Sequence, residues 1–182
     1  MSVKCYRKMI VMVLVTAVAS FGITAVYAAE GMDSKVDMTL ETFKETKGAS
    51  SLIDEAAGLL VFPTIVKAGL VFGGEYGEGA LLVDGKTEGY YNMAAGSVGF
   101  QLGVQKKSVI IAFMDQDALD SFQRSSGWKV GADASVAVIA IGAGGMIDTK
   151  TIDDPVVAFV FDQKGLMYNV TLEGAKITEI EK

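Results

Sequence analysis

Apolar and polar residues alternate along most of the chain after Leu59, and this spacing of two predicts a series of short β-strands. Pro63 is expected to end the first of them, because proline lacks the N–H group that a strand ladder needs. Asp84-Gly85 separates two apolar runs and predicts a hairpin, since a type I′ turn requires positive φ at both central residues. Val109–Met114 is apolar at every position, which predicts a central strand covered on both faces. The clearest alternation spans residues 97–104 and predicts one strand with a bulky face and a small or polar face.

Two segments show the spacing of helices instead. Residues 30–47 carry an apolar stripe between charged residues, and Gly48 is expected to end this helix. We expect it to pack on the domain, because helices that lie on membranes are usually rich in lysine and arginine. Asp115–Arg124 predicts a later helix whose acidic first turn suits the helix dipole. The sequence therefore predicts an α+β fold, with N-terminal helices packed on a strongly curved, mostly antiparallel β-sheet or barrel of eight or nine short strands.

Residues 1–28 have the organisation of a secretory signal peptide. Three cations precede an apolar run that extends to Ile23, and small residues suited to cleavage follow it. The apolar run is short for a membrane span of about 20 residues, although an uncleaved anchor is the alternative. We expect cleavage after Ala28, which would leave residues 29–182 as a single domain, periplasmic or secreted. Cys5 would be removed with the signal peptide, so the remaining chain would contain no cysteine.

The composition excludes several classes of function. The 182 residues include 22 acidic and 16 basic side chains, so the formal net charge is −6, and cleavage would make it −9 because three cations would be lost. Nucleic acid is an unsuitable partner, since its binding requires a basic surface. The chain has no histidine, which removes the commonest general base and metal ligand. We therefore expect no enzyme activity, no catalytic residue, no metal and no cofactor.

Few motifs point to chemistry. Gly73–Gly79 lacks the strand-to-helix context of a phosphate-binding loop, so we expect a glycine-rich bend between strands. Asp133 lies in an apolar stretch, where a buried carboxylate would need a partner. We expect a structural role with Ser135 or a backbone amide as that partner; the alternative is a carboxylate hydrolase, for which Asp133 is the only plausible centre. Trp128-Lys129 leaves two interpretations open, a tryptophan at a membrane interface and a partly buried tryptophan beside a solvated lysine. Lys106-Lys107 is the only adjacent pair of cations after the first helix.

Eight short segments follow one another in a specific order: Leu60–Pro63 (LVFP), Lys67–Leu70 (KAGL), Gly73–Gly79 (GGEYGEG), Gly89–Asn92 (GYYN), Ser97–Gly103 (SVGFQLG), Gly131–Ser135 (GADAS), Lys164–Leu166 (KGL) and Leu172–Gly174 (LEG). Together, from about residue 50 to 177, they resemble the SYLF family, which is known as a family of lipid-binding domains. The resemblance implies a lipid- or membrane-associated role. Eukaryotic members are associated with phosphoinositides and actin, whereas exported bacterial members look like stand-alone domains. Because the first helix is acidic here, we do not expect this chain to bind phosphoinositides through a basic amphipathic helix.

The first functional hypothesis is a non-catalytic lipid- or phospholipid-binding domain of the bacterial cell envelope. An acyl chain would lie against the small face of the 97–104 strand, with Lys67 or Lys106 near the headgroup. The alternative is an envelope protein-interaction or structural module whose lipid affinity is incidental. A barrel filled by its own side chains would favour the alternative, and an apolar cavity of about 300 Å³ or more would favour lipid binding. The expected lipid-binding residues are Lys67, Gly99, Gln101, Gly103, Lys106, Lys107, Trp128 and Lys129.

Overall fold

The computed structural model describes residues 30–69, 72–98, 103–142, 146–147, 153–164, 172 and 174–182. Within these ranges the chain forms three helices: α1 (residues 30–44), α2 (Ala49–Glu55) and α3 (Gln116–Gln123). The strands are β1 (Gly58–Gly69), β2 (Phe72–Val83), β3 (Lys86–Val98), β4 (Gly103–Phe113), β5 (Trp128–Lys129), β6 (Ala137–Ala140), β7 (Val156–Lys164) and β8 (Lys176–Ile180). None of the helices in these ranges is long and apolar enough to cross a membrane.

The eight strands form a single sheet in the order β5-β8-β3-β2-β1-β4-β7-β6. All neighbouring pairs are antiparallel except β6 and β7, which are parallel. The long strands β1 to β4 occupy the centre, and the short strands β5 and β6 lie at the two edges. The predicted α+β class, strand number and mostly antiparallel pairing are confirmed.

The sheet is strongly curled. Trp128 of edge strand β5 lies five strand positions from β4, which would separate the two by about 24 Å in a flat sheet. Yet the rings of Trp128 and Phe113 of β4 are only 6.2 Å apart, centre to centre. Phe122 of α3 fills the space between them, with its ring 4.9 Å from Phe113 and 5.5 Å from Trp128. The face that carries these rings, called the concave face below, is therefore the inside of a half-barrel.

Each face of the sheet has its own apolar core. The concave core includes α3 and side chains from seven strands, and it is filled by large residues that are almost completely buried. The opposite face, called the α1 face, is covered by α1 and α2. β4 is buried on both sides from Val109 to Phe113, as its continuous apolar run predicts. The concave core is formed mainly by Leu60, Phe62, Ile65, Leu81, Tyr91, Met93, Val109, Ile111, Phe113, Leu119, Phe122, Trp128, Val160 and Ile177.

Helix α1 packs on the sheet, as its apolar stripe predicts. The ring of Phe43 is completely buried and lies 5.4 Å from the ring of Phe159 and 5.3 Å from that of Phe161. The charged side of the helix is also anchored, because Tyr90 Oη donates a hydrogen bond to Asp33 Oδ1 at 3.0 Å. Burial raises the pKa of Tyr90, and the hydrogen bond and charge of Asp33 raise it further. Part of the acidity of α1 therefore serves to dock the helix.

Helix boundaries were predicted less well than helix positions. α1 ends at residue 44, and Gly48 is the residue before α2 rather than the end of α1. Its φ of 91° favours glycine, and a Cβ at this position would also collide with the carbonyl oxygen of Ile147. α3 begins as predicted, because Asp115 Oδ1 accepts a hydrogen bond of 2.7 Å from the backbone N–H of Ala118.

Pro63 does not end β1, and this prediction was wrong. The strand continues to Gly69, and its pairing with both neighbours shifts register around Pro63. A bulge at that point tolerates the missing N–H group, since no ladder bond is required there. The carbonyl oxygen of Pro63 accepts a hydrogen bond of 2.9 Å from Ser108 Oγ on β4. The strand is therefore locally re-paired where the proline interrupts it.

Two further strand predictions concern the turn at Asp84-Gly85 and the segment 97–104. Asp84 and Gly85 form the predicted two-residue hairpin, with φ values of 51° and 72°. The strand predicted at residues 97–104 lies partly outside the described residues, which include Val98 at the end of β3 and Gly103 at the start of β4. The two ends of that segment belong to strands with different neighbours, since β3 pairs with β2 and β8 while β4 pairs with β1 and β7. Alternation alone does not reveal where one strand stops and the next begins.

Candidate functional site

Three charged side chains are buried together on the concave face. Lys67 Nζ lies 2.9 Å from Glu75 Oε1, and Lys107 Nζ lies 2.8 Å from Glu75 Oε2. The three residues are only 4%, 7% and 2% exposed for Lys67, Glu75 and Lys107. We call them the Lys–Glu–Lys cluster. Charged residues are almost never this deeply buried unless they are paired.

The pairing of the strands places the cluster. Lys67 of β1 stands opposite Glu75 of β2 and, on its other side, opposite Gln105 of β4. Side chains of directly opposite residues lie on the same face of a sheet. Lys107 follows Gln105 by two residues and therefore shares that face as well. The same alternation continues along β4 into Val109, which belongs to the concave core.

The cluster lies next to the end of the sheet. Lys67 is two residues from Gly69, where β1 ends, and Gln105 is two residues from Gly103, where β4 begins. The large apolar side chains of the concave core occupy the strands on its other side. The cluster thus forms a polar continuation of that core towards one end of the half-barrel.

The cluster carries more positive than negative charge. Among the residues that the structure describes, Glu75 is the carboxylate in ion-pair contact with Lys67 and Lys107, so two ammonium groups share one anion. Burial by itself raises the pKa of Glu75, but its contacts with Lys107 and then with Lys67 lower it. The combined effect places the pKa below its ordinary value of 4.5. Glu75 is therefore ionised at neutral pH, and one positive charge is left over.

Two polar groups in the cluster have spare capacity for hydrogen bonds. Lys107 Nζ contacts Glu75 but has no well-aligned hydrogen bond within the described ranges. Gln105 is 1% exposed and donates a long hydrogen bond of 3.5 Å from Nε2 to Gln163 Oε1, whereas its own Oε1 has no described partner. Buried polar groups in proteins generally take part in hydrogen bonds, so both groups are suited to contact a polar ligand. A ligand with both anionic oxygens and a hydroxyl donor would satisfy both groups.

The structure brings together some of the predicted site residues and separates others. Lys67 and Lys107 meet at Glu75, whereas Lys106 points to the opposite face and is exposed. Gly103 is the first residue of β4. Gly99 and Gln101 lie outside the described residues. The centre of the predicted cavity face therefore lies outside the described residues.

Of the two interpretations of Trp128-Lys129, the structure supports the buried tryptophan beside a solvated lysine. Trp128 is 3% exposed and its ring packs edge-on against Phe122 in the concave core, so it does not present itself to a membrane. Lys129 beside it is exposed. Trp128 therefore stabilises the curled sheet. Among the described residues, neither Trp128 nor Lys129 forms a hydrogen bond or ion pair with the Lys–Glu–Lys cluster.

The backbone-amide partner expected for Asp133 is confirmed, whereas the bend expected at Gly73–Gly79 was wrong. Asp133 is exposed, not buried, and its Oδ2 accepts a hydrogen bond of 2.6 Å from the backbone N–H of Lys129 in a turn. Gly73–Gly79 is not a bend between strands, because it lies within β2. Glu75 was missed because this segment was interpreted as a bend. Within a strand, its side chain points into the concave face. The signal that could have identified Glu75 is its position opposite Lys67 in the antiparallel pair of β1 and β2. That position becomes evident only when the register of the two strands is known.

The described residues offer no grouping of three or more acidic or cysteine side chains that could hold a metal ion. The chemistry of the site is therefore that of two ammonium groups, one carboxylate and two amides. Such groups bind anionic and hydrogen-bonding ligands by charge-assisted hydrogen bonds.

The fold is a small α+β half-barrel whose helices cover a single curled sheet. Residues 94–182 match the family model Ysc84, described as "Las17-binding protein actin regulator". Ysc84 is the SYLF domain family, and the C-terminal part of the chain is similar to it. This match confirms the resemblance to that family, and four of the eight sequence segments lie within the matched residues.

The chain is also similar to longer fungal proteins. An SH3 domain-containing protein of Schizosaccharomyces pombe is 29% identical over 151 residues, which cover 75% of this chain and 34% of that protein. LAS seventeen-binding protein 3 of Saccharomyces cerevisiae is 29% identical over 135 residues, covering 70% of this chain and 29% of that protein. The chain thus spans about a third of the length of the curated relatives that it matches.

Proposed function

We propose that the protein is a non-catalytic lipid-binding domain of the bacterial cell envelope, and that the Lys–Glu–Lys cluster receives an anionic headgroup. The observation that carries the proposal is the burial of two ammonium groups with one carboxylate. A phosphate or carboxylate oxygen would neutralise the remaining positive charge. It would also accept the hydrogen bonds that Lys107 is free to donate.

The concave core limits where the rest of the lipid can lie. Its described part is filled by side chains, many of which have no exposed surface at all. The proposal therefore relies on headgroup contact near the ends of β1 and β4, and not on an acyl chain buried among the core residues. The similarity to the SYLF family supports lipid contact independently of this geometry.

Replacing Lys107 by Met tests the proposal. The change leaves Lys67 and Glu75 as a balanced ion pair, so the fold should keep its stability while the excess charge disappears. Binding to phosphatidylglycerol vesicles, measured by co-sedimentation, should weaken at least about tenfold, because a hydrogen bond to a charged group contributes about 1.5–3 kcal/mol. The matched control is Lys106→Met, which removes the same charge from the neighbouring but exposed position.

The two variants separate the cluster from the general surface charge. Binding that falls equally in both variants, or only in Lys106→Met, would show that exposed lysines attract the vesicles. Equal binding to neutral phosphatidylcholine vesicles by the unmodified protein would also contradict an anionic headgroup site. A thermal melt of each variant confirms that the fold is retained before the binding results are compared.

A protein-interaction or structural module is the second candidate. It is favoured by the filled concave core, which resembles a structural barrel more than a container. It is also favoured by the relatives, because the yeast protein is named for binding LAS seventeen. If Lys107→Met and Lys106→Met leave vesicle binding unchanged and weak, this second candidate gains support.

A further inference from the structure

A groove of about 500 Å³ lies on the α1 face, on the opposite side of the sheet from the Lys–Glu–Lys cluster. Its floor is apolar and comes from four elements. Leu59 of β1 and Leu82 of β2 stand opposite each other and are buried, while Leu40 of α1 and Ile53 of α2 are half-buried. Its volume lies in the range of ligand-binding pockets.

The rim of the groove is acidic. Four carboxylates line it: Asp37 and Glu41 of α1, Asp54 of α2 and Asp84 of the hairpin between β2 and β3. Lys44 is the one cation among the lining residues, and its Nζ already lies 2.7 Å from Glu41 Oε1. The rim therefore keeps a net charge of about three negative units, from four carboxylates and one ammonium group.

Three of the carboxylates surround the same ammonium group, that of Lys44, although they belong to different elements. The hydrogen bond and charge of Glu41 raise the pKa of Lys44 most, and Asp54 and Asp37 raise it further. These three acids of α1 and α2 thus reinforce one another at the mouth of the groove. Asp84 completes the rim from the sheet side.

The combination of floor and rim selects the chemistry of an occupant. An anionic headgroup would be repelled, and a purely apolar ligand would gain nothing from four carboxylates. A single small amine could not contact acids that are spread over two helices and a turn. A peptide segment with several cations around a large apolar side chain would use both features, as charge complementarity between binding surfaces requires.

We infer that this groove docks a segment of a partner protein in which a large apolar residue is flanked by lysine or arginine. The apolar side chain would lie on Leu59 and Leu82, and the cations would meet the rim. This site is separate from the headgroup site proposed above, so either can fail without the other.

The probe for the test is a fluorescein-labelled heptapeptide of alternating lysine and leucine, titrated with the purified protein at physiological ionic strength. Fluorescence anisotropy measures the affinity. The combined Asp37→Asn and Asp54→Asn variant should bind about tenfold more weakly, as expected for the loss of two exposed ion pairs. The matched control, Asp153→Asn with Asp154→Asn, loses the same charge at exposed positions outside the groove and should bind as the unmodified protein does.

Two further measurements keep the proposal falsifiable. Lys44→Gln should strengthen binding, because it removes the cation that competes for the rim. A lysine–serine heptapeptide of the same charge should bind at least about tenfold more weakly than the lysine–leucine peptide, since it lacks apolar side chains for the floor. Equal loss of affinity in both double variants, equal affinity for the two peptides, or no binding to the unmodified protein would each overturn the inference.

Discussion

At the scale of single residues, Glu75 decides whether two buried lysines can coexist. A buried carboxylate alone would have a raised pKa, because burial disfavours its charged form. The contacts from Lys107 and Lys67 outweigh that effect, and the pKa of Glu75 falls below its ordinary value. The cluster therefore stabilises the ionised state of the one residue that balances it.

Replacing Glu75 by Gln should lower the free energy of unfolding at pH 7 by about 3–5 kcal/mol, because two buried ammonium groups would lose their counter-ion. Since the pKa of Glu75 is lower in the folded state than in the unfolded state, its stabilisation is fully present above about pH 4.5 and is lost as the pH falls through the folded-state value. Urea unfolding of both proteins from pH 7 to pH 2 measures the difference between them.

The exposed Glu88→Gln variant is the control for that series, because it removes a carboxylate without a described ion pair. The difference between the unmodified protein and Glu75→Gln should shrink as the pH falls. A difference that grows on acidification would contradict the lowered pKa.

At the scale of secondary-structure elements, the contact between β1 and β2 depends on glycines placed opposite a bulge. A Cβ at Gly79 would collide with the carbonyl oxygen of Val61 and come within 2.8 Å of Phe62 Cδ1. A Cβ at Gly77 would lie 2.7 Å from Ile65 Cγ1. The bulge at Pro63 and the glycines of β2 thus fit together, which allows the two strands to bend closely around each other.

Replacing Gly79 by Ala should therefore destabilise the fold by about 1–3 kcal/mol through overpacking against β1. The matched control is Gly96→Ala in β3, where a Cβ would meet nothing within 4 Å and stability should change little. Thermal and urea unfolding of the two variants measure the effect. If both variants unfold alike, β2 has no special requirement for glycine at the bulge.

At the scale of the whole molecule, closure of the half-barrel rests on aromatic contacts between distant strands. Trp128 reaches Phe113 only because the sheet curls, and Phe122 of α3 holds the two together. The aromatic rings and the surrounding aliphatic residues fill the interior. The second face of the same sheet is left for α1 and α2 and for the acidic groove.

Processing also belongs to the scale of the whole chain. We expect the protein recovered from cells to begin at Ala29 and to appear in the periplasm or the medium, because residues 1–28 have the cation, apolar run and small residues of a signal peptide. Cell fractionation with N-terminal sequencing measures both features. A full-length chain in the inner membrane would instead identify residues 1–28 as an uncleaved anchor.

Much of the local structure could be predicted from the sequence. The buried run of β4, the N-cap of α3 and the turn at Asp84-Gly85 depend on residues that are close together in the chain. The spacing of apolar residues and the residue types that turns require therefore suffice to identify them. Lys67 and Lys107 were also selected as candidate residues, from family resemblance and charge, without knowledge of their partner.

Other features depended on the tertiary structure. The amino-acid order does not show that Pro63 lies in a bulge, that Val98 and Gly103 belong to strands with different neighbours, or that Glu75 faces Lys67. Each of these depends on which strands become neighbours and in which register, and a period of two specifies only the face of a strand that a residue occupies. The sequence by itself therefore determined most of the elements, the compositional limits and the resemblance to the SYLF family, whereas the curl of the sheet decided which charges meet and which acids surround the groove.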